Sequence, residues 1–195
     1  MTTVFDVAAF IVQRTREITP LKLQKLVYYT QAWSLVRDGQ PMFAEQFEAW
    51  RYGPVVPELY RKHPGMAFVP FPYPFGNPND LSPQGQTTAL AVVHVYGKKS
   101  PGWLSDLTHR EDPWRIARGA LPSDAWCDER ITVESMRSYY ESAESPSKTQ
   151  VMAFGAANAN SLINFMQSMS DDEASIVDEL SMLDDDEEVA KLTAS

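Results

Sequence analysis

The chain has 195 residues, of which 44% are hydrophobic and 22% are charged, and a chain of this length can bury a hydrophobic core without disulfides or a structural metal. Its single cysteine, Cys127, excludes an internal disulfide and a zinc site built on several thiolates. The formal net charge of -9 opposes nucleic-acid binding, which needs a basic surface. The sequence has no apolar run near the roughly 20 residues that span a bilayer and no signal-peptide pattern at its start, so we expect a cytoplasmic protein without membrane contacts.

The first part of the sequence predicts two helices. Val4, Val7 and Ile11 recur at helical spacing and predict an amphipathic helix. Thr19-Pro20 is typical of a capped helix start, and dense apolar residues up to Leu35 predict a central core helix behind it. We expect Lys22 and Lys25 to share the exposed face of this second helix, either solvated or in contact with a partner.

The next stretch predicts a strand pair and an irregular segment. Residues 43–50 favour a short extended element, and Tyr52-Gly53-Pro54 favours a turn. Six prolines between residues 63 and 83 disfavour regular structure. This segment nevertheless carries several aromatic residues, which either pack onto the core or meet a partner. They are Phe68, Phe71, Tyr73 and Phe75, and of these Phe71, Tyr73 and Phe75 are our candidate partner-binding residues.

Further helix starts follow at Ser82-Pro83, Ser100-Pro101 and Asp112-Pro113, and Thr132 predicts one more N-cap. Together these signals predict a mainly α fold, a compact helical domain with a minor strand or hairpin element. Apolar patterns around Trp33, Trp50, Trp103 and Trp114 predict that the tryptophans pack in the core.

The composition changes after Pro146, so we expect a helical domain over residues 1–145 and an extension over residues 146–195. The extension starts with an uncharged segment and continues as an acidic amphipathic helix. Residues 151–195 hold ten acidic residues and one basic residue, which accounts for the whole net charge and suits a basic partner. The apolar stripe of this helix supplies further candidate partner-binding residues, which are Ile176, Leu180 and Leu183. It packs either on its own domain or on a partner.

Patterns for catalysis are absent from the sequence. No glycine-rich phosphate loop and no nucleophile elbow occur, and we expect no cofactor, no metal and no catalytic residues. His94 lies in an apolar helix pattern, which predicts a core or half-buried residue. Thr108, His109 and Asp112 are expected to satisfy helix ends by hydrogen bonding. An enzyme that uses Thr108, His109, Glu111 or Asp112 is the minor alternative.

Three sequence blocks together resemble the Panacea (SocA-like) domain family. The blocks are residues 20–33, residues 47–60 and residues 100–118. The signature positions that carry the resemblance are Leu23, Gln24, Lys25, Tyr28, Trp50, Tyr52, Gly53, Pro54, Trp103, Thr108, His109, Pro113 and Trp114. Most of them are expected to be structural, and the family supplies no catalytic residues to carry over.

The resemblance implies a compact helical domain and an antitoxin that neutralises a cognate toxin by direct protein contact. The toxin is expected to be encoded by the adjacent gene of a bacterium, phage or other mobile element. An adaptor that delivers a partner protein to a protease is the alternative that the family also implies. The oligomeric state and the toxin itself are left open.

Overall fold

The computed structural model describes residues 2–142 and 147–157. Its elements, in chain order, are α1 (Val4–Thr15), α2 (Pro20–Arg37), β1 (Phe47–Trp50), β2 (Gly53–Val55), α3 (Pro57–Tyr60), a 3-10 helix (Pro78–Asp80), α4 (Pro83–Tyr96), α5 (Pro101–Thr108), α6 (Asp112–Arg118), β3 (Arg130–Ile131) and α7 (Val133–Ser142). Residues 147–157 are also helical. The predicted mainly α fold with a minor strand element is confirmed.

Hydroxyl side chains start three of the helices as the sequence predicts. Thr19, Ser82 and Ser100 each accept a hydrogen bond from a backbone N–H in the first turn, and a proline follows each of them. The hydroxyl pairs one N–H of the first turn, and the proline has no N–H that could be left unpaired, so fewer N–H groups at the helix start lack a partner. The start at Asp112-Pro113 differs, because Glu111 is the capping position and makes no side-chain cap there.

Helix α2 is the centre of the fold. It packs against α1, α4, α5 and α7 and against strand β2. Its side chains are buried almost all round from Leu23 to Leu35, polar ones included. Buried polar groups are usually hydrogen-bonded, and four buried side chains of α2 bind the backbone of neighbouring segments, namely Gln24, Lys25, Gln31 and Ser34.

The strands form one antiparallel sheet in the order β2-β1-β3. Strands β1 and β2 pair as a hairpin, with Trp50 opposite Gly53, and β3 pairs through Ile131 opposite Phe47. The hairpin confirms the predicted minor strand element. Strand β3 was not predicted, because a two-residue strand carries no alternation to detect.

The proline-rich segment packs partly onto the core. Tyr73 is buried, and the Val69 backbone N–H donates to the Ile18 carbonyl at 2.9 Å. Phe71 and Phe75 remain 47% and 39% exposed. Basic side chains lie against these two rings, with Arg16 at 5.2 Å from the Phe71 centroid. Tyr73 thus packs onto the core, and contact of Phe71 and Phe75 with a partner stays a prediction.

The candidate tail residues Ile176, Leu180 and Leu183 lie outside the described residues. Within the helical residues 147–157, Val151 is buried in the core, and Phe154 stacks on His94 at 4.4 Å between ring centroids. The division at residue 145 stays a prediction. In the part of the chain that the structure describes, no helix combines the length and apolar character that a bilayer crossing requires.

Candidate functional site

The signature residues meet where α2 holds the β1-β2 hairpin. The Gln24 side chain donates to the Val56 carbonyl at 3.2 Å and accepts from the Val56 N–H at 2.8 Å. The Lys25 ammonium donates to the Pro54 carbonyl at 2.9 Å. Two adjacent polar residues of α2 therefore fix the backbone of β2 and of the residue that follows it.

Gly53 begins β2 at a point where a side chain has no room. Its φ of +93° is disfavoured for residues with a Cβ atom. A Cβ atom there would lie 2.5 Å from Thr108 Oγ1 and 2.8 Å from Lys25 Nζ. This close approach lets the hairpin pack directly on α2 and α5 and explains why these signature residues occur together.

Helix α6 holds the other side of the hairpin. The Trp114 indole N–H donates to the Trp50 carbonyl at 2.9 Å, and the His109 ring stacks on Trp114 at 4.1 Å. The Arg118 guanidinium donates to the Ala49 carbonyl at 2.9 Å and to the Ala125 carbonyl at 2.8 Å. Arg118 thus ties the loop over residues 119–129 to strand β1.

The structure corrects the expected exposure of several residues. Lys25 is fully buried, not on an exposed face, because α2 is enclosed and the ammonium donates a hydrogen bond to the Pro54 carbonyl. Lys22 is half-buried and donates to the Gly97 carbonyl at 2.6 Å. Trp103 is 37% exposed, because the short α5 turns it outward toward Lys99, whose ammonium lies 4.9 Å from the ring. His94 is exposed, since it lies on the outer side of α4 beneath Phe154.

Two buried groups in and beside this junction have pKa values far from their ordinary ones. Burial lowers the pKa of Lys25 to about 7, since desolvation disfavours the ammonium. Burial raises the pKa of Glu111 to about 7, opposed by hydrogen bonds from Tyr140 and Tyr29. Those hydroxyls lie 2.6 Å and 3.2 Å from Oε2 of Glu111.

The residues of the enzyme alternative are engaged with separate partners. The Thr108 hydroxyl donates to the Ser105 carbonyl at 2.7 Å, the Glu111 carboxylate accepts from the tyrosines of α2 and α7, and Asp112 forms an exposed ion pair with Arg115 at 3.0 Å. His109 differs from these residues: its backbone N–H donates to the Ser105 carbonyl at the C-cap of α5, but its ring Nε2 is buried without a hydrogen-bond partner among the described residues. Within the described ranges, no group of three histidine, cysteine or carboxylate side chains is arranged to hold a metal.

Two adjoining grooves open on the outer side of the hairpin. The larger has a volume of about 590 Å³ and the smaller one of about 450 Å³. Leu21, Arg51 and Tyr52 line both grooves, so the two form one continuous surface, which we call the paired grooves. A further pocket of about 320 Å³, lined by Ser34 and Ser82 among others, contains no signature residue.

Aromatic side chains surround the larger groove. The Trp50 ring lies 4.8 Å from Tyr60 and 5.5 Å from Trp126. Tyr52, Tyr60 and Trp126 are 57%, 45% and 71% exposed. Such a cluster of exposed aromatics is typical of a protein-binding surface.

The sequence did not predict this surface, although it placed Trp50, Tyr52 and His109 among the signature positions. Tyr60, His63 and Trp126 were missed as candidates. The signal that was available is Trp126, a tryptophan in a polar, loop-like stretch beside the buried Cys127. The candidate residues Phe71, Tyr73 and Phe75 do not line either groove.

Comparison with known proteins finds a family model that is similar to the part of the chain around this junction. Residues 23–115 match the family model described as "Antitoxin SocA-like, Panacea domain", and this interval contains every signature position. "Antitoxin SocA" of Caulobacter vibrioides (strain NA1000 / CB15N) is 48% identical over 44 residues, which are 23% of this chain and 23% of that protein. The aligned stretch therefore covers about a quarter of the relative. No solved structure matches the chain significantly.

Proposed function

We propose that this chain, whose residues 23–115 match the SocA-like Panacea domain, is an antitoxin that neutralises a protein toxin by direct binding. The family description and the name of the similar protein support an antitoxin role and imply a toxin partner in general. An antitoxin acts by recognition, so this similarity favours a binding role over catalysis. The toxin is encoded by the adjacent gene under this proposal.

One structural observation supports binding most directly. The matched interval contains most of α2, the hairpin, α5 and the first part of α6, and the outer side of this junction is the aromatic surface around Trp50 and Tyr52. Burying exposed aromatic side chains against a partner removes apolar area from water and stabilises a complex. The signature residues beneath the surface hold it rigid, which lowers the entropic cost of binding.

Residues 146–195 are proposed to add specificity for the individual toxin. Their sequence is acidic with one apolar stripe. A segment of this kind can cover a basic cleft and repel a negatively charged substrate from it. The apolar residues Ile176, Leu180 and Leu183 are the proposed contacts within the stripe.

A co-expression growth assay tests the proposal. The product of the adjacent gene is induced in a bacterial host with and without this chain, and growth and the half-life of the induced protein are followed together. Rescue of growth with an unchanged half-life supports neutralisation by binding. Rescue that requires a shortened half-life supports the adaptor alternative instead. A toxic product that is not rescued contradicts the antitoxin role for that pair.

A further inference from the structure

The larger groove combines apolar walls with one unpartnered polar atom. His63 lines it, is 3% exposed, and its Nε2 has no hydrogen-bond partner among the described residues. The ring also forms a hydrogen bond with the Leu59 backbone, and burial lowers its pKa. A buried neutral imidazole has one nitrogen left as an acceptor, and leaving such a group unpaired costs free energy. Since this nitrogen is itself buried, the ring belongs to the wall of the groove, whose accessible lining is mainly apolar.

The smaller groove is acidic. Asp106 and Asp124 line it and are exposed. Neither carboxylate forms an ion pair within the part of the chain that the structure describes. His109 at the same groove has its pKa lowered, first by burial and then by the charge of Lys25, so its ring is neutral at neutral pH and adds no positive charge beside the two carboxylates.

Arg51 stands between the two grooves without neutralising either carboxylate. Its guanidinium lies 5.2 Å from the centroid of the Tyr52 ring and forms no ion pair within the described ranges. A guanidinium in this position presents several N–H donors in a fixed plane. It can donate to the main-chain carbonyls of a segment that crosses from one groove to the other.

We infer that the paired grooves bind a basic segment of the toxin, with a bulky apolar side chain in the larger groove and a lysine or arginine side chain at Asp106 and Asp124. Complementary charge selects this occupant, because the smaller groove has two exposed carboxylates that form no ion pair among the described residues and only one guanidinium, that of Arg51. The inference rests on the proposed function only for the identity of the partner as a toxin. The chemistry of the occupant follows from the grooves themselves.

A peptide selection tests the occupant without knowledge of the toxin. A random peptide library displayed on phage is selected against the full chain, and the enriched peptides are synthesised and titrated. We expect peptides that carry an aromatic or large aliphatic residue close to a lysine or arginine. Their affinity should fall as the salt concentration rises, because the exposed carboxylates are screened.

Two variants locate the binding. Trp126→Ser should weaken the selected peptides about thirtyfold, as expected for an aromatic anchor. The double variant Asp106→Asn with Asp124→Asn should weaken them about tenfold and reduce their dependence on salt. Ile116→Ser is the matched control for the first variant, because Ile116 is 68% exposed and lines neither groove. Glu17→Gln with Glu134→Gln is the matched control for the second, since both carboxylates lie outside the grooves.

Different results would overturn the inference about the grooves and the proposed antitoxin function. Peptides without enrichment in basic residues, or equal affinity for the groove variants and their controls, overturn the inference. An intact chain that dimerises and becomes a monomer on Trp126→Ser also overturns it, since a second copy would then occupy the surface. In the growth assay, failure of the intact chain contradicts the proposed function alone. Rescue by the intact chain and equally by both groove variants contradicts the groove alone.

Discussion

At the residue scale, the contact of Gly53 with Lys25 and Thr108 joins the hairpin to α2 and α5. Sequence reasoning identified Gly53, Lys25 and Thr108 separately, as positions of one signature, but not the contact between them. Lysine is rarely buried, so its position on α2 was interpreted as exposed. The spacing of residues along one helix cannot show that a carbonyl of a hairpin elsewhere in the chain accepts a hydrogen bond from the Lys25 ammonium.

The substitution Gly53→Ala is expected to lower the free energy of unfolding by about 3 kcal/mol or more, because strain at positive φ adds to a clash with Thr108 and Lys25. Chemical denaturation measures this loss. Gly39→Ala is the matched control, since Gly39 also has a positive φ of +67° but no atom of the described residues lies within 4 Å of where its Cβ would be. We expect the control to lose about 1 kcal/mol. Equal losses of unfolding free energy in the two variants would show that the close approach at Gly53 does not contribute to the destabilisation.

Glu111 is expected to make stability depend on pH below neutrality. Its pKa in the folded chain is about 7, above its ordinary value of 4.5. Between pH 4.5 and about pH 7, Glu111 is therefore protonated in the folded chain and ionised in the unfolded chain. Stability from this group is therefore present below pH 4.5 and is lost as the pH rises to about 7. Glu111→Gln keeps an acceptor for Tyr140 and Tyr29 but cannot ionise.

The measurement is the difference in unfolding free energy between Glu111→Gln and the native chain across this pH range. The variant should gain up to about 3 kcal/mol relative to the native chain between pH 4.5 and pH 8. Comparison of the two chains cancels contributions from other groups, including the histidines with lowered pKa values, His63 and His109. A difference that does not change with pH would show that the Glu111 carboxylate is not the source.

At the scale of elements, the helix starts were predictable and the loop contacts were not. Ser or Thr followed by Pro is a local signal, and Thr19, Ser82 and Ser100 act as the sequence predicts. The third strand and the loop over residues 119–129 depend on contacts between distant parts of the chain. Trp126 becomes part of a site only because this loop returns to strand β1, which no local pattern indicates.

Arg118 is expected to hold that loop in place. Arg118→Met removes hydrogen bonds to the Ala49 and Ala125 carbonyls while keeping much of the side-chain bulk. We expect faster amide hydrogen exchange over residues 119–129 and weaker binding of peptides selected on the native chain, because Trp126 loses its fixed position. Hydrogen exchange followed by mass spectrometry measures the first effect.

Arg115→Met serves as the control for this variant, since among residues 2–142 and 147–157 the Arg115 side chain forms only an exposed ion pair with Asp112 on the same helix, which contributes little. Exchange over residues 119–129 should stay unchanged in the control. Unchanged exchange in both variants would contradict the role of Arg118 as the tie between the loop and β1.

At the scale of the whole molecule, the proposed specificity of the acidic extension can be tested by truncation after Ala157. This position keeps Val151 and Phe154 in contact with the body. We expect the truncated chain to fold, to keep its affinity for peptides selected on the grooves, and to bind its toxin about tenfold or more weakly, because a charged contact surface is lost. Equal toxin binding by both chains would show that residues 158–195 add no specificity.

The proposal that this chain neutralises its toxin by direct contact is tested most directly with purified proteins. The toxin's own activity is titrated with the intact chain in the absence of any protease or other cellular component. We predict that inhibition rises with added chain and is complete at a fixed molar ratio, together with a complex of that stoichiometry by mass measurement. A toxin that keeps full activity in excess chain, although the same pair rescues growth in cells, would contradict neutralisation by binding.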